Sequence, residues 1–460
     1  MRRDPITIAV SVAVLTISVL GACTGTSGRQ VEARPEEPRN EVTPTTRPPD
    51  CAEVLSPGAQ AGQLIMVMVT GPQLATAVLS AGRAGGFALK GRQSSDVGDE
   101  VTAAITDAPI APFVASDEEG GTVQRLGAAI DELPSAETMA EDTPQDAATL
   151  FEPYATAMRD LGFNMNFGPV ADVGSSSGLG TRSFGDDPAA VSGFATAIIE
   201  AQQSAGLISV VKHWPGIGGG SADPHVQLAP VAPIDELRTK DLLPFGAAIA
   251  AGVPAVMVAH VEVPGLTAEN EPASLSRAAI TGELRGRQGF TGLVITDALG
   301  MGAIVDTTPQ DDAAELAIAA GADIALVSGA DVVPLVHERL TEAIASRRLA
   351  TAQVVESVRR VLKAKGIDGP CPELAAKLAT VQQDGTAGSL PSGDGPVDSG
   401  INDTGSDSEP DSSGGSGSTS GSGSTGSSSS TSTTGGGDVT TTAVRRLPST
   451  TTTTTTTRDG

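Results

Sequence analysis

Eight short apolar runs, separated by alanine-rich segments, limit what this chain can fold into more than any other feature of it. The runs are 64–70 (LIMVMVT), 86–90 (GFALK), 111–116 (APFVAS), 163–170 (FNMNFGPV), 207–212 (LISVVK), 255–260 (AVMVAH), 292–297 (GLVITD) and 322–328 (ADIALVS). They do not alternate apolar with polar residues, which predicts strands buried on both faces, as in a parallel sheet. Segments of helical character lie between them, including 146–160, 188–205, 235–251 and 310–320. Several end in a glycine just before the next strand: Gly162, Gly206, Gly252 and Gly321. Glycine at that place is what closes a helix in the left-handed region. Eight strand–helix units in about 320 residues predict an α/β fold, a (β/α)8 TIM-type barrel with some insertions. A doubly wound open sheet is the alternative. Two further helical stretches, 331–345 and 351–365, would close the domain.

The ends of the chain read differently. Arg2 and Arg3 precede an apolar run over 6–20, and Leu-Gly-Ala-Cys follows at 20–23. A basic start, a short apolar stretch and small residues at the cut predict an export signal over 1–22. The ending in Cys23 resembles a bacterial lipobox, which implies cleavage before Cys23 and a lipid on its sulfur. An ordinary signal peptide or a transmembrane anchor are the alternatives, and the apolar run is short for a span. Residues 23–50 are rich in Pro, Thr and charge and predict a disordered linker. From 384 to 460 the chain collapses into Gly, Ser, Thr and Asp, too poor in apolar residues to fold. The patterned part is thus 51–383, which predicts a single folded domain, and a lipid on Cys23 would hold it at the outer face of the cytoplasmic membrane. Cys51 and Cys371 bracket that part; in an exported chain an isolated pair predicts a disulfide, with two free thiols as the alternative.

The formal net charge of −26 offers no counter-charge for phosphates and disfavours nucleic acid as a partner. Aromatic residues are 2 % of the chain, which disfavours broad sugar-stacking platforms and sets the single Trp214 apart. In a barrel of this kind the site lies at the C-terminal ends of the strands. Those ends carry Asp117 after the third, Asp172 and then Arg182 after the fourth, Lys212 and His213 after the fifth, His260 after the sixth and Asp297 after the seventh. One such Asp is weak, since many only cap a helix; five ends delivering charge or imidazole are hard to explain as packing. After Lys212 and His213 the chain turns through Pro215, Gly216, Gly218, Gly219 and Gly220 and reaches Asp223-Pro224-His225. His337 lies in a helical stretch and reads as structural. The histidines of the mouth are not at ligand spacing on one element, so no metal is implied, and no phosphate-binding glycine fingerprint or other cofactor signal is present.

Five segments in order carry a resemblance to glycoside hydrolase family 3, in its single-domain bacterial β-N-acetylglucosaminidase branch. DEEGGTVQR (117–125) is similar to DQEGGRVQR, TRSFG (181–185) to RSFG, and KHWPG (212–216) to KHFPG. AHVEVPGLTAENEPASLS (259–276) resembles AHV…PASLS, and VITDALGM (294–301) resembles the strand end whose Asp is the nucleophile. The resemblance implies that Asp297 is the nucleophile, that Asp117, Arg125, Arg182, Lys212 and His213 bind the sugar, and that His225 is the acid/base. Three departures stand out. Ile217 replaces a histidine of GHG, Pro224 replaces a serine and restricts Asp223 to extended backbone, and Thr122 replaces an arginine.

The chemistry implied is retaining hydrolysis. An Asp carboxylate attacks the anomeric carbon and forms a covalent intermediate that water then opens. Lys212 and Arg182 would keep a carboxylate ionised. A histidine titrates near neutrality and suits proton transfer in both directions, with Asp223 orienting its ring. The reading is an exported, lipid-anchored, monomeric exo-β-N-acetylglucosaminidase acting on peptidoglycan fragments. A phosphorylase is one competitor, because a neutral His does not repel phosphate as a Glu would. A catalytically weak wall-binding lipoprotein is the other.

Overall fold

The eight apolar runs become eight parallel strands. In the computed structural model, which describes residues 50–368 apart from 175, 177 and 221–225, they are β1 (Ile65–Val69), β2 (Gly86–Leu89), β3 (Phe113–Ser116), β4 (Met165–Asn166), β5 (Ile208–Trp214), β6 (Ala255–Val258), β7 (Leu293–Thr296) and β8 (Ala325–Ser328). Their order is β8-β1-β2-β3-β4-β5-β6-β7, parallel throughout. A parallel bridge between Ile295 and Ile324 joins the two ends. Hydrogen bonds from Ile324 N to Val294 O (3.1 Å) and from Thr296 N to Ile324 O (3.1 Å) close the seam. The fold is therefore the expected (β/α)8 barrel and not an open sheet.

The described residues all belong to the first of two units, 1–396 and 397–460. The expected signal segment 1–22, Cys23, most of the linker, Asp223, His225, Cys371 and the 384–460 tail lie outside the described residues. Cys51 is disulfide-bonded, and the other two cysteines of the chain, Cys23 and Cys371, are among those not described. Among the described residues no helix is long and apolar enough to cross a membrane.

Burial on both faces explains the unbroken apolar runs. Ile65, Val67 and Val69 of β1 pack outward in one cluster, while Met66 packs with Phe113, Met165, Met257, Ile295 and Leu326 in another. Both faces of each strand are thus removed from water, and among the eight strands a charged side chain enters only toward the C-terminal end of β5, at Lys212.

The expected helices form over Pro144–Asp160, Pro188–Ser204, Gln310–Ala320, Val333–Ala345 and Thr351–Ala364. Pro144–Asp160 starts where chain chemistry says it should. Thr143 accepts from Asp146 N, Asp146 accepts from Thr143 N, and Pro144 takes the first position, where no N–H is needed. The glycines that follow the helices have positive φ, 90° at Gly162 and 116° at Gly321. Two details differ from the sequence reading. The 235–251 stretch splits into Ile234–Leu237 and Leu242–Ala250, and the fourth run narrows to two paired residues, with Pro169, which has no N–H to give a ladder, shortly after them. The segment after β3 is not a plain loop. Glu118–Gly120 and Val123–Gln124 form an antiparallel hairpin over the barrel mouth.

Candidate active site

Because all eight strands are parallel, their C-terminal ends share one rim, and charged side chains meet there. Lys212, near the end of β5, puts Nζ 2.5 Å from Asp117 Oδ1 and 2.6 Å from Glu119 Oε1. Arg182 donates to both oxygens of Glu119, from Nε at 2.7 Å and from a terminal nitrogen at 2.8 Å. A terminal nitrogen of Arg125 stands 4.0 Å from Asp117 Oδ2. Strand geometry explains the pairing: residues two apart face the same side, so Asp117 and Glu119 both turn to the cations while Glu118 turns away.

Charges this deep persist only when paired. Lys212 is 2 % exposed and Glu119 5 %. Burial works against ionising Glu119, but Arg182 and Lys212 outweigh it and hold its carboxyl well below the usual range. Burial likewise opposes the Lys212 ammonium, and Asp117 and Glu119 outweigh it, raising its pKa. The pairs these two cations make are thus with Asp117 and Glu119.

Asp172, fully buried after β4, ties the next part of the site together. Its Oδ2 lies 2.7 Å from His213 Nδ1, and its Oδ1 accepts from Ile217 N at 2.8 Å. A carboxylate accepts only, so it fixes His213 with a proton on Nδ1. Nε2 of that ring stands 3.4 Å from an Arg182 nitrogen. Ile217, where the family segment has a histidine, is buried in an apolar cluster with Trp214 and Val211. The glycine beside it has a packing reason: a Cβ on Gly218 would lie 2.0 Å from Val173 O.

Asp297 follows β7 directly. Its N–H bonds to Val258 O at 2.9 Å, and its Oδ1 accepts from Ala298 N at 2.8 Å. His260 supports the same place from β6. It is fully buried, with Nδ1 2.7 Å from Ser274 Oγ and Nε2 3.0 Å from Ala298 O. The carbonyl can only accept, so Nε2 carries the proton and the Ser274 hydroxyl donates to Nδ1. His260 therefore braces the residue next to Asp297.

The structure brings Asp117, Arg125, Arg182, Lys212 and His213 into one connected set and puts Asp297 on the same rim. Asp223 and His225 are outside the described residues. Trp214 is fully buried, with Nε1 bonded to Gln288 Oε1 at 3.0 Å. His337 bonds to Gly58 O at 2.9 Å, as expected of a structural residue. Among the described residues no group of three or more His, Cys, Asp or Glu could hold a metal ion. Sequence reasoning singled out Asp117 and missed Glu119, although the i, i+2 rule applied to DEEGG would have found it. It also missed Glu118 and Tyr154, whose pairing spans 36 positions (2.6 Å).

Charged side chains meeting at the C-terminal rim of a (β/α)8 barrel stand where enzymes of this fold carry their sites, and comparison with known proteins gives the family. The model of the glycosyl hydrolase family 3 N terminal domain matches residues 58–364. The chain is 37 % identical over 342 residues to the beta-hexosaminidase LpqI of Mycobacterium tuberculosis, covering 70 % of this chain and 88 % of that one. The solved structure of M. tuberculosis LpqI matches with a TM-score of 0.65, over 70 % of this chain and 98 % of that one. A family 3 beta-N-acetylglucosaminidase from Paenibacillus sp. str. FPU-7 matches at 29 % identity and a TM-score of 0.63, over 71 % and 68 % of the two chains. The chain belongs to glycoside hydrolase family 3 and is a glycoside hydrolase.

Proposed function

We propose that this enzyme is a retaining exo-β-N-acetylglucosaminidase that removes non-reducing terminal N-acetylglucosamine from peptidoglycan fragments. Asp297 attacks the anomeric carbon and expels the aglycone, leaving a covalent glycosyl–Asp297 ester. His225, oriented by Asp223, gives a proton to the leaving oxygen, then takes one from the water that opens the ester. Asp117 accepts from sugar hydroxyls, while Arg125, Arg182, Lys212 and His213 complete the subsite.

The observation that carries the reading is the buried set of Lys212, Asp117, Glu119 and Arg182 on the rim that also bears Asp297. Such a set presents fixed, oppositely charged hydrogen-bonding groups without reorganising when a polyol arrives. Arg125 adds to it: a terminal nitrogen of its guanidinium stands 4.0 Å from Asp117 Oδ2, beside the carboxylate that accepts from the sugar in this reading. The names of the relatives point to the same hexosamine class.

In this reading 1–22 is a lipoprotein signal and Cys23 carries the lipid. Residues 23–50 form the spacer, 51–383 the catalytic domain and 384–460 a Gly/Ser/Thr-rich tail. The enzyme is a monomer on the outer face of the cytoplasmic membrane. Hydrolysis of an aryl N-acetyl-β-glucosaminide, with and without phosphate and with Asp297→Ala as control, tests it. Release of free N-acetylglucosamine, unchanged by phosphate and lost in the variant, is expected. N-acetylglucosamine 1-phosphate as the main product, or full activity in Asp297→Ala, would overturn it.

A further inference from the structure

Glu118 is a buried carboxyl that the proposed chemistry does not use. It is fully shielded from solvent, and every neighbour that reaches it donates. Ser116 Oγ is 2.5 Å from Oε1, Tyr154 OH is 2.6 Å from Oε2, and Arg125 N lies 3.1 Å from Oε1 and 3.3 Å from Oε2, with Leu126 N adding a further backbone bond. These donors come from three places: the end of β3, the exit of the hairpin and the helix Pro144–Asp160. The backbone of Glu118 is clamped separately, by Asn166 Oδ1 and Nδ2 at 3.0 Å each. Its side chain is therefore the link that can change while its own Cα stays put.

What the link holds is the substrate wall. Arg125, tied through its backbone N–H, carries the guanidinium that faces Asp117 at 4.0 Å. Asp117 and Glu119, on either side of Glu118, face Lys212. The other titratable groups around Glu118 are Tyr154 on the helix, whose hydroxyl also receives Gln124 Nε2 at 3.2 Å, and Glu132 beyond the hairpin, which acts on Tyr154. Burial pushes the Glu118 carboxyl up to about 7, against the pull of the hydrogen bonds from Ser116, Tyr154 and the backbone. A proton on either oxygen turns an acceptor into a donor and displaces one of the converging donors.

We infer that Glu118 is a positioning residue whose ionised form draws the Arg125 segment against Asp117, and whose protonation releases it, so that sugar binding weakens on acidification. This rests on the reading that Asp117 and Arg125 contact the sugar. The family segment DQEGGRVQR has an amide at this position, so glutamine fits the site sterically.

The test is the pH dependence of KM and kcat for an aryl N-acetyl-β-glucosaminide in the full chain. For the wild type, KM is expected to rise about fivefold or more between about pH 8 and pH 5.5, with an inflection near neutrality. Glu118→Gln is expected to have a flat KM profile while the kcat profile keeps its shape. Tyr154→Phe removes one donor to the carboxylate, so its KM inflection should move to higher pH. That shift is one a merely structural role would not produce, and it tests the idea even if Glu118→Gln fails to fold. An inflection that persists in Glu118→Gln, or stays in place in Tyr154→Phe, overturns the role of Glu118. Asp117→Asn separates the two levels: an unchanged KM there overturns the subsite reading itself, and a raised KM upholds it whatever Glu118 does.

Discussion

Replacing Glu119 with Gln tests whether the buried charges at the rim are one interdependent unit. The substitution preserves shape and removes the carboxylate that Arg182 grips with two bonds and Lys212 meets at 2.6 Å. Breaking a buried pair by removing one partner costs about 3–5 kcal/mol, because the remaining charge is left uncompensated. Lys212 keeps Asp117, so the lower end applies. At about 2.1 cal/mol/K per residue, a domain of roughly 320 residues converts 3–5 kcal/mol into a Tm loss of about 4–7 °C. The control is Glu132→Gln, which breaks the Arg92–Glu132 pair at a similar 2.6 Å but with side chains 65 % and 63 % exposed. An exposed pair contributes about 0–1 kcal/mol, so that variant should lose about 1.5 °C or less. The sign with pH is also fixed. The folded pKa of Glu119 is depressed, so its contribution is complete above the ordinary carboxylate range and fades as acid protonates it. The gap between Glu119→Gln and wild type should therefore narrow on acidification below about pH 4. Activity should fall as well, about 10²-fold in kcat/KM, since Arg182 and Lys212 lose the group that aims them. Equal Tm losses in the two variants would refute the reasoning, because burial would then not be what makes the rim pairs matter.

Three further outcomes follow from the packing. Gly218→Ala puts a methyl 2.0 Å from Val173 O and must displace the loop after β5; we expect hydrolysis to fall at least about tenfold with the far-UV circular dichroism unchanged. Asp172→Asn leaves one acceptor oxygen for the two donors His213 Nδ1 and Ile217 N and sets an NH2 against the other, and a Tm drop of about 2–4 °C, matching about 1–3 kcal/mol, should accompany a rise in KM. At the opposite end of the barrel Lys365 lies over the Phe113 ring at 4.8 Å, and burial pushes its ammonium down to about 7. Its folded pKa is below the unfolded one, so the unfolded chain binds more protons between about 7 and 10.5 and the lysine favours the fold more as pH rises. The Tm of Lys365→Met relative to wild type should hence improve as pH falls from about 9 to 6, and a constant difference would show that the lysine stays charged.

Much of this fold was legible in the sequence because burial on both faces leaves a mark one can read locally. LISVVK and GLVITD carry a charged residue only at their last positions, and those last positions are the rim. Gly162, Gly206, Gly252 and Gly321 marked the helix ends for an equally local reason, a backbone conformation that other residues resist. What escaped was long-range. Nothing near Glu118 announces Tyr154, because their contact depends on how a helix crosses the hairpin. Lys212 and Arg182 were read as groups that keep a carboxylate ionised, and the carboxylates they pair with are Asp117 and Glu119, 95 and 63 positions away. The role of His260 as a brace, through Ser274 and Ala298, likewise depends on two neighbouring strand ends meeting.

The central claim is that Asp297 is the group that bonds to the sugar, and a slow-turnover fluorinated N-acetylglucosamine analogue tests it most directly. Peptide mapping of the trapped enzyme by mass spectrometry should find one glycosyl adduct, on the peptide containing Asp297, and none in Asp297→Ala. An adduct on Asp117, Glu118 or Glu119, or turnover with no adduct at all, would contradict the account.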